Sequence, residues 1–195
     1  LLLGASPAGE ATIFTAIMND AQEVAPAGSS NTTGEARASL QLNEIAIGDP
    51  YYGGTISSLA LQIDFDPVFN FKNMPGGIDN GGTQIVTNLH IHNAARGVAG
   101  GVVWGIFAPD HDTDNDSFLV NNADGTTRIS SEWDLAEGNG VVTLADFLAA
   151  LQAAGPGQDV ALYLNLHTNL DPAGVVRGQI VGAPEPVAGV LVGLG

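Results

Sequence analysis

Three of the four histidines lie on two segments whose alternation of apolar and polar residues predicts β-strands. His90 and His92 are two residues apart on the first segment, so both rings project from the same face of that strand. His167 follows the alternating leucines of residues 162–166 on the second segment. Two imidazoles from one strand and a third from a neighbouring strand can bind one metal ion, and neutral imidazole suits copper or zinc. We therefore predict a metal site here, with copper(II) as the first choice because neither a thiolate nor several carboxylates accompany the rings.

Two other interpretations of the histidines stay open, namely a hydrogen-bonded structural network and catalysis. A two-metal dismutase would need a bridging histidine and ligands for the second metal, and only His111 is left. The sequence also lacks a Gly-x-Ser-x-Gly nucleophile turn and a His-Glu-x-x-His helix. We therefore expect that the protein is not an enzyme.

An acidic loop follows Pro109, with an aspartate at every second position. A looped chain with this spacing can turn several oxygens toward one hard cation, and calcium takes six to eight oxygen ligands. The loop lacks the glycine and the distal glutamate of an EF-hand. We predict a calcium site here, and the alternative is a loop of solvated charge. The predicted ligands are Asp110, Asp112, Asp114 and Asp116.

The charge balance excludes two classes of partner. The 195 residues include 21 acidic and only five basic ones, which gives a net charge of −16. Five scattered cations cannot displace the counterions of a phosphate backbone, so nucleic-acid binding is excluded. Attraction to anionic lipid is excluded for the same reason. The chain contains no cysteine, so disulfides and thiolate metal sites are absent as well.

The hydrophobic pattern predicts seven to nine short strands and one helix. For the helix, Thr143 is a suitable N-cap with Asp146 as its capping-box partner, and apolar residues recur at helical spacing from Leu144 to Leu151. This content predicts an all-β fold, an antiparallel Greek-key sandwich or flattened barrel with one short helix. The strands are predicted at 11–18, 35–47, 56–65, 83–92, 101–107, 130–135, 159–168 and 175–181, with a long loop at 68–82.

A set of short motifs, in this order along the chain, resembles the landmarks of the CHRD domain family. They are Phe14-Thr15-Ala16 with Gln22-Glu23-Val24, then Thr33-Gly34-Glu35-Ala36, Leu89-His90-Ile91-His92-Asn93, Leu166-His167-Thr168 and Gly174-Val175-Val176-Arg177-Gly178-Gln179-Ile180. The family is named for the repeated domains of chordin, an extracellular antagonist of growth factors, and it also occurs in bacterial exported proteins. The resemblance implies an exported β-domain over residues 11–182. The strand with His90 and His92 is also similar to the copper strand of copper-zinc superoxide dismutase, so a superoxide-dismutase-like architecture is expected.

Apolar tails flank the predicted domain at residues 1–10 and 183–195. The first resembles the end of a signal peptide. The second begins with Pro184-Glu185-Pro186 and resembles a PEP-CTERM sorting tail, although it is shorter than the ~20 residues of a membrane span. We therefore expect a secreted, extracellular or cell-surface protein that forms no stable membrane span.

Two hypotheses on function follow from these features. In the first, the protein is an extracellular structural protein that assembles into a homo-oligomer, filament or matrix through its apolar tails and sheet edges. Bound metal ions would stabilise it. In the second, it is a module that binds copper or another metal for storage, delivery or redox chemistry.

Overall fold

The computed structural model describes residues 13–24, 34–44, 56–69, 71–73 and 82–183. Ten strands and one short α-helix account for its regular structure. This confirms the predicted all-β class with a single short helix. The strands are β1 Ile13–Met18, β2 Ala36–Glu44, β3 Ile56–Phe65, β4 Phe71–Lys72, β5 Gln84–Asn93, β6 Gly101–Phe107, β7 Phe118–Asn121, β8 Thr127–Asp134, β9 Asp159–Thr168 and β10 Val176–Gly182. The helix α1 spans Leu148–Ala153.

The strands form one curled sheet in the order β4-β5-β9-β10-β1-β2-β3-β8-β7, with β6 also paired to β5. The curl brings distant strands together, because Trp104 of β6 stacks on Trp133 of β8 with ring centroids 5.7 Å apart. Apolar side chains from most strands therefore join a single hydrophobic core. Burying such side chains stabilises the fold by roughly 25 cal/mol per Å² of apolar area.

The structure corrects three details of the predicted architecture. The sheet is not purely antiparallel, because the two-residue strand β4 pairs in parallel with β5. Strand β4 lies inside the segment predicted as a long loop, and β7 follows the acidic loop without having been predicted. The helix is also shorter than expected, because its first turn at Leu144–Asp146 is a 3₁₀ turn. The predicted capping box is confirmed, since the Thr143 N–H donates to the Asp146 carboxylate at 2.8 Å.

Strands β5 and β9 lie side by side at the centre of one half of the sheet and place the predicted metal ligands. Antiparallel pairing sets His90 opposite Asn165 and His92 opposite Tyr163. Leucines of β9 alternate with these polar residues and point into the core. The opposite face of the same two strands is therefore polar and yet largely buried, which is unusual for a face that lies outside the hydrophobic core.

Candidate metal centre

Three histidines meet on the polar face of β5 and β9. Leu89 and Ile91 point into the core, so the alternation of side chains along β5 directs His90 and His92 to the other face, as predicted. His167 reaches the same place from β9. The ring centroids of the three histidines are 5.3 to 5.9 Å apart.

One ring nitrogen from each histidine lies within 4.8 Å of the other two. A common point therefore exists within about 3 Å of all three nitrogens, and small side-chain movements reach the ~2.0 Å typical of metal–nitrogen bonds. The sequence predicted that the three rings converge, and the structure has this convergence.

The other nitrogen of each ring bonds to a backbone carbonyl, which can only accept a hydrogen bond. That nitrogen must therefore carry the proton, and the tautomer of each ring is fixed. Backbone carbonyls orient metal-binding histidines in this way in many proteins. The three bonds run from His90 Nε2 to Ala108 at 3.0 Å, from His92 Nδ1 to Gly100 at 3.0 Å, and from His167 Nδ1 to Pro172 at 3.2 Å.

The remaining nitrogens are lone-pair acceptors, and none has a hydrogen-bond partner. They are Nδ1 of His90, Nε2 of His92 and Nε2 of His167, and all three atoms are buried. Burying a polar atom without a partner costs roughly 1–3 kcal/mol, so three at one place need an explanation. A metal ion bound to all three lone pairs supplies one, and the residues present therefore fit such an ion.

Burial keeps the three rings neutral, which is the form that binds a metal. It lowers the pKa of His90 from 6.5 to about 4, although the bond to Ala108 acts in the opposite direction. Burial also lowers the pKa of His92 and that of His167. Protons therefore compete with a metal for these nitrogens only in acidic solution.

Two glycines allow the loops that carry the carbonyls to pack closely. A Cβ at Gly100 would lie 2.1 Å from the carbonyl oxygen of Asn93. A Cβ at Gly105 would lie 2.0 Å from the carbonyl oxygen of Pro109, next to the carbonyl that holds His90. No side chain fits at either position without moving the backbone.

We expect Gly100→Ala to weaken copper binding about 10- to 100-fold although every histidine is retained, because the clash displaces the carbonyl that orients His92. Gly101→Ala is the matched control, since a Cβ at Gly101 has nothing within 4 Å. Competition with a coloured chelator measures both affinities. Equal affinities for the two variants would contradict this role of the Gly100 carbonyl.

An aromatic ring and a cation lie behind the histidines. The Tyr163 ring stacks on His92, with centroids 4.8 Å apart and planes 8° from parallel. The guanidinium carbon of Arg177 is 3.5 Å from the centroid of the same Tyr163 ring. The alternation of β9 placed Tyr163 on the histidine face, and Arg177 is part of a family motif, but no sequence signal joined them to the site.

A second group of possible ligands combines the acidic loop with a distant glutamate. One carboxylate oxygen each from Asp112, Asp114 and Glu137 lies within 4.8 Å of the other two. Partial desolvation and the neighbouring carboxylates of Asp112 and Glu137 raise the pKa of Asp114. Glu137 lies outside the run of aspartates, and no pattern in the sequence connects it with the acidic loop.

The two buried carboxylates of this group already accept hydrogen bonds from the protein. Glu137 accepts from Trp104 Nε1 at 3.2 Å and from the Thr113 hydroxyl at 2.8 Å. Asp112 accepts from the Ser117 hydroxyl at 2.6 Å. The group therefore holds the acidic loop against the tryptophan pair, whether or not a cation binds.

The other two predicted loop ligands have different contacts. Asp110 accepts from the N–H of Asp112 at 3.1 Å, and Asp116 accepts from the N–H of Glu132 at 2.9 Å. In the described part of the chain, neither belongs to the group of Asp112, Asp114 and Glu137. Only two of the four predicted oxygens are thus brought together.

Comparisons with known proteins agree with the landmarks in the sequence. The CHRD domain family matches residues 14–180, a range that contains both groups of possible ligands. No significant match was found among curated proteins or among solved structures. Since the match covers most of the 195 residues, the chain belongs to the CHRD domain family.

Proposed function

We propose that this CHRD domain is a metal-binding module that holds one copper or zinc ion at His90, His92 and His167. Two observations carry the proposal: one ring nitrogen of each histidine lies within 4.8 Å of the other two, and each ring has a buried nitrogen with no hydrogen-bond partner. Each ring is held by a backbone carbonyl in the tautomer that leaves this nitrogen unprotonated. Such orientation by outer contacts is characteristic of metal sites.

A structural network is the main competing explanation, and it fits less well. In such a network, donors would be paired with the three lone pairs. A buried water molecule could serve as the donor, but it has only two hydrogens for three acceptors. One metal ion satisfies all three at once.

Titration of the metal-free protein with copper tests the proposal. We expect binding of one equivalent, with X-ray absorption showing nitrogen and oxygen neighbours only, since the three proposed ligands are imidazoles. Zinc is titrated in parallel, because imidazole suits both metals. If neither zinc nor copper, presented both as Cu(I) and as Cu(II), binds at micromolar concentration, the proposal is contradicted.

We also propose that the group of Asp112, Asp114 and Glu137 binds a calcium ion. The closeness of three carboxylates supports this, because their mutual repulsion is relieved by a cation. Their existing hydrogen bonds leave fewer lone pairs for a cation than a loop of free carboxylates would. This second site is therefore secondary to the histidine site.

Calcium is expected to raise the melting temperature of the protein and to protect residues 109–122 from protease, since binding to the native state stabilises it by mass action. Differential scanning calorimetry with calcium and with chelator measures the first effect. Asp114→Asn is a suitable variant, because Asp114 is exposed and its loss does not disturb the core. Identical melting with calcium and with chelator would mean that the group is purely structural.

Export and assembly stay proposals from the sequence. The apolar tails, apart from residue 183, lie outside the described residues, as does the predicted start of the domain at residue 11. No helix in the described ranges is long and apolar enough to cross a bilayer. The acidic, cysteine-free composition and the family support an extracellular role, in which a non-enzymatic domain binds metal and associates with other copies through its tails.

A further inference from the structure

The donor set of the histidine site is electrically neutral. Each of the three ligands is an imidazole, which binds a metal ion in its neutral form, and within the described residues no carboxylate belongs to the group. A bound cation would therefore keep its full charge inside the protein. The cost of burying an ion rises with the square of its charge, so a divalent ion has about four times the penalty of a monovalent one.

A fixed positive charge lies close to the same site. Arg177 is only 1% exposed, and its guanidinium donates to the carbonyls of Val98 at 2.9 Å and Ala95 at 3.1 Å. Among the described residues it forms no ion pair. Glu23, a carboxyl group that interacts with Arg177, is a weak counter-charge, because burial raises the pKa of that carboxyl to about 7.

The Tyr163 ring contacts both this charge and the site. The guanidinium carbon of Arg177 is 3.5 Å from the ring centroid, and the ring stacks on His92 with centroids 4.8 Å apart, so the cation is no more than about 8 Å from the imidazole. A metal at the site would feel the repulsion of Arg177 in proportion to its own charge.

The number of ligands favours the same conclusion. Zinc in structural sites takes four ligands, and copper(II) prefers a square-planar or tetragonal arrangement of at least four. Monovalent copper accepts three. A fourth imidazole, that of His111, lies outside the group of three.

We propose that this site selects monovalent copper over copper(II) and zinc. The inference depends on the metal site proposed above and names its cargo. It differs from the choice of copper(II) made from the sequence, because the buried, neutral donor set and the nearby Arg177 are visible only in the folded chain. A carrier of this kind would receive copper after its reduction and would hold it away from water.

The test measures three affinities of the metal-free protein under argon. Cu(I) is presented with ascorbate in competition with a colorimetric cuprous chelator, and Cu(II) and zinc are each presented in competition with a divalent-metal chelator. We expect Cu(I) to bind at least 100-fold more tightly than either divalent ion. For a one-electron couple, that ratio raises the reduction potential of the bound copper by about 120 mV over that of the free ion.

Three variants test the role of the fixed charge. Arg177→Met removes the charge and is expected to shift the affinity ratio toward Cu(II) on the order of 30-fold, for an effective dielectric constant near ~20. Arg177→Lys keeps the charge and should stay near the wild-type ratio. Tyr163→Phe retains the stacked ring and should also leave the ratio unchanged.

Each outcome has a separate meaning. If no metal binds, the proposed metal site itself is wrong. If Cu(II) or zinc binds as tightly as Cu(I), the site stands and the selectivity for monovalent copper is overturned. If Arg177→Met fails to fold, the wild-type ratio still decides on selectivity.

Discussion

Acidifying the metal-free protein from pH 7 to pH 4 is expected to remove about 3 kcal/mol of its unfolding free energy through His90 alone. Burial lowers the pKa of this ring from 6.5 to about 4. In the unfolded chain the imidazole takes up a proton near pH 6.5, whereas in the folded protein it stays neutral until about pH 4. The unfolded state therefore binds more protons between these values. The stabilising contribution is complete above pH 6.5 and is lost as the pH falls toward 4.

Urea denaturation across this range, for the wild type and for His90→Gln, isolates the effect. The wild-type unfolding free energy should fall with acid more steeply than that of the variant, by about 3 kcal/mol in total. Nuclear magnetic resonance titration of the imidazole gives the pKa directly. Parallel curves for the two proteins, or a ring that titrates near pH 6.5, would contradict a buried neutral His90.

Glu23 acts in the opposite direction and must be separated from the histidines. Desolvation raises the pKa of its carboxyl from 4.5 to about 7 despite the nearby Arg177. The folded protein therefore keeps this proton where the unfolded chain has lost it. The resulting stability is complete below pH 4.5 and is lost as the pH rises through 7. In Glu23→Gln this opposing contribution is absent, so the acid-induced loss of stability should be larger than in the wild type.

The part of the site that could be predicted from the sequence depends on local periodicity. Because side chains alternate along a strand, the spacing of His90 and His92 was enough to place both rings on one face. The same alternation placed His167 correctly on its own strand. Placing these side chains on a face requires only that each segment is extended, and the residues of the segment itself determine that conformation.

The part that could not be predicted depends on contacts between distant segments. Carbonyls from three different loops each accept a hydrogen bond from one ring nitrogen, and these bonds determine which nitrogen of each ring stays unprotonated. The approach of Arg177 to Tyr163 requires the pairing of β9 with β10, which alternation does not specify. Glu137 joins the acidic loop only because the sheet curls and brings the two tryptophans together.

The short strand β7 was missed for a related reason. Only Leu119 among its four residues is buried, and Phe118 is 65% exposed. Four residues with one buried side chain carry too little alternation to be distinguished from a loop. These four residues form a strand because their backbone pairs with that of β8.

His92→Ala is expected to lower the affinity for copper at least 100-fold and to leave the β-sheet circular dichroism unchanged. Two imidazoles remain in this variant, and loss of one of three ligands removes the convergence on a single ion. His111→Ala is the matched control. His111 also has a buried ring nitrogen without a partner, but it lies outside the group of three, so copper affinity should stay close to that of the wild type. Equal losses in the two variants would mean that four histidines form the site.

The stability of the metal-free variant distinguishes a metal site from a structural network. If the three imidazoles formed a network that stabilises the fold, His92→Ala would destabilise the metal-free protein strongly, by about 3 kcal/mol or more. If they form a metal site, the variant removes one of three unsatisfied buried acceptors, which offsets part of the cost of the cavity beside Tyr163. We therefore expect the metal-free variant to lose no more than about 2 kcal/mol of unfolding free energy.

With copper present, the wild type gains stability by mass action and the variant does not, so the difference between the two proteins should widen with copper concentration. A difference that is large without metal and does not change when copper is added would assign the histidines to the fold and not to a ligand.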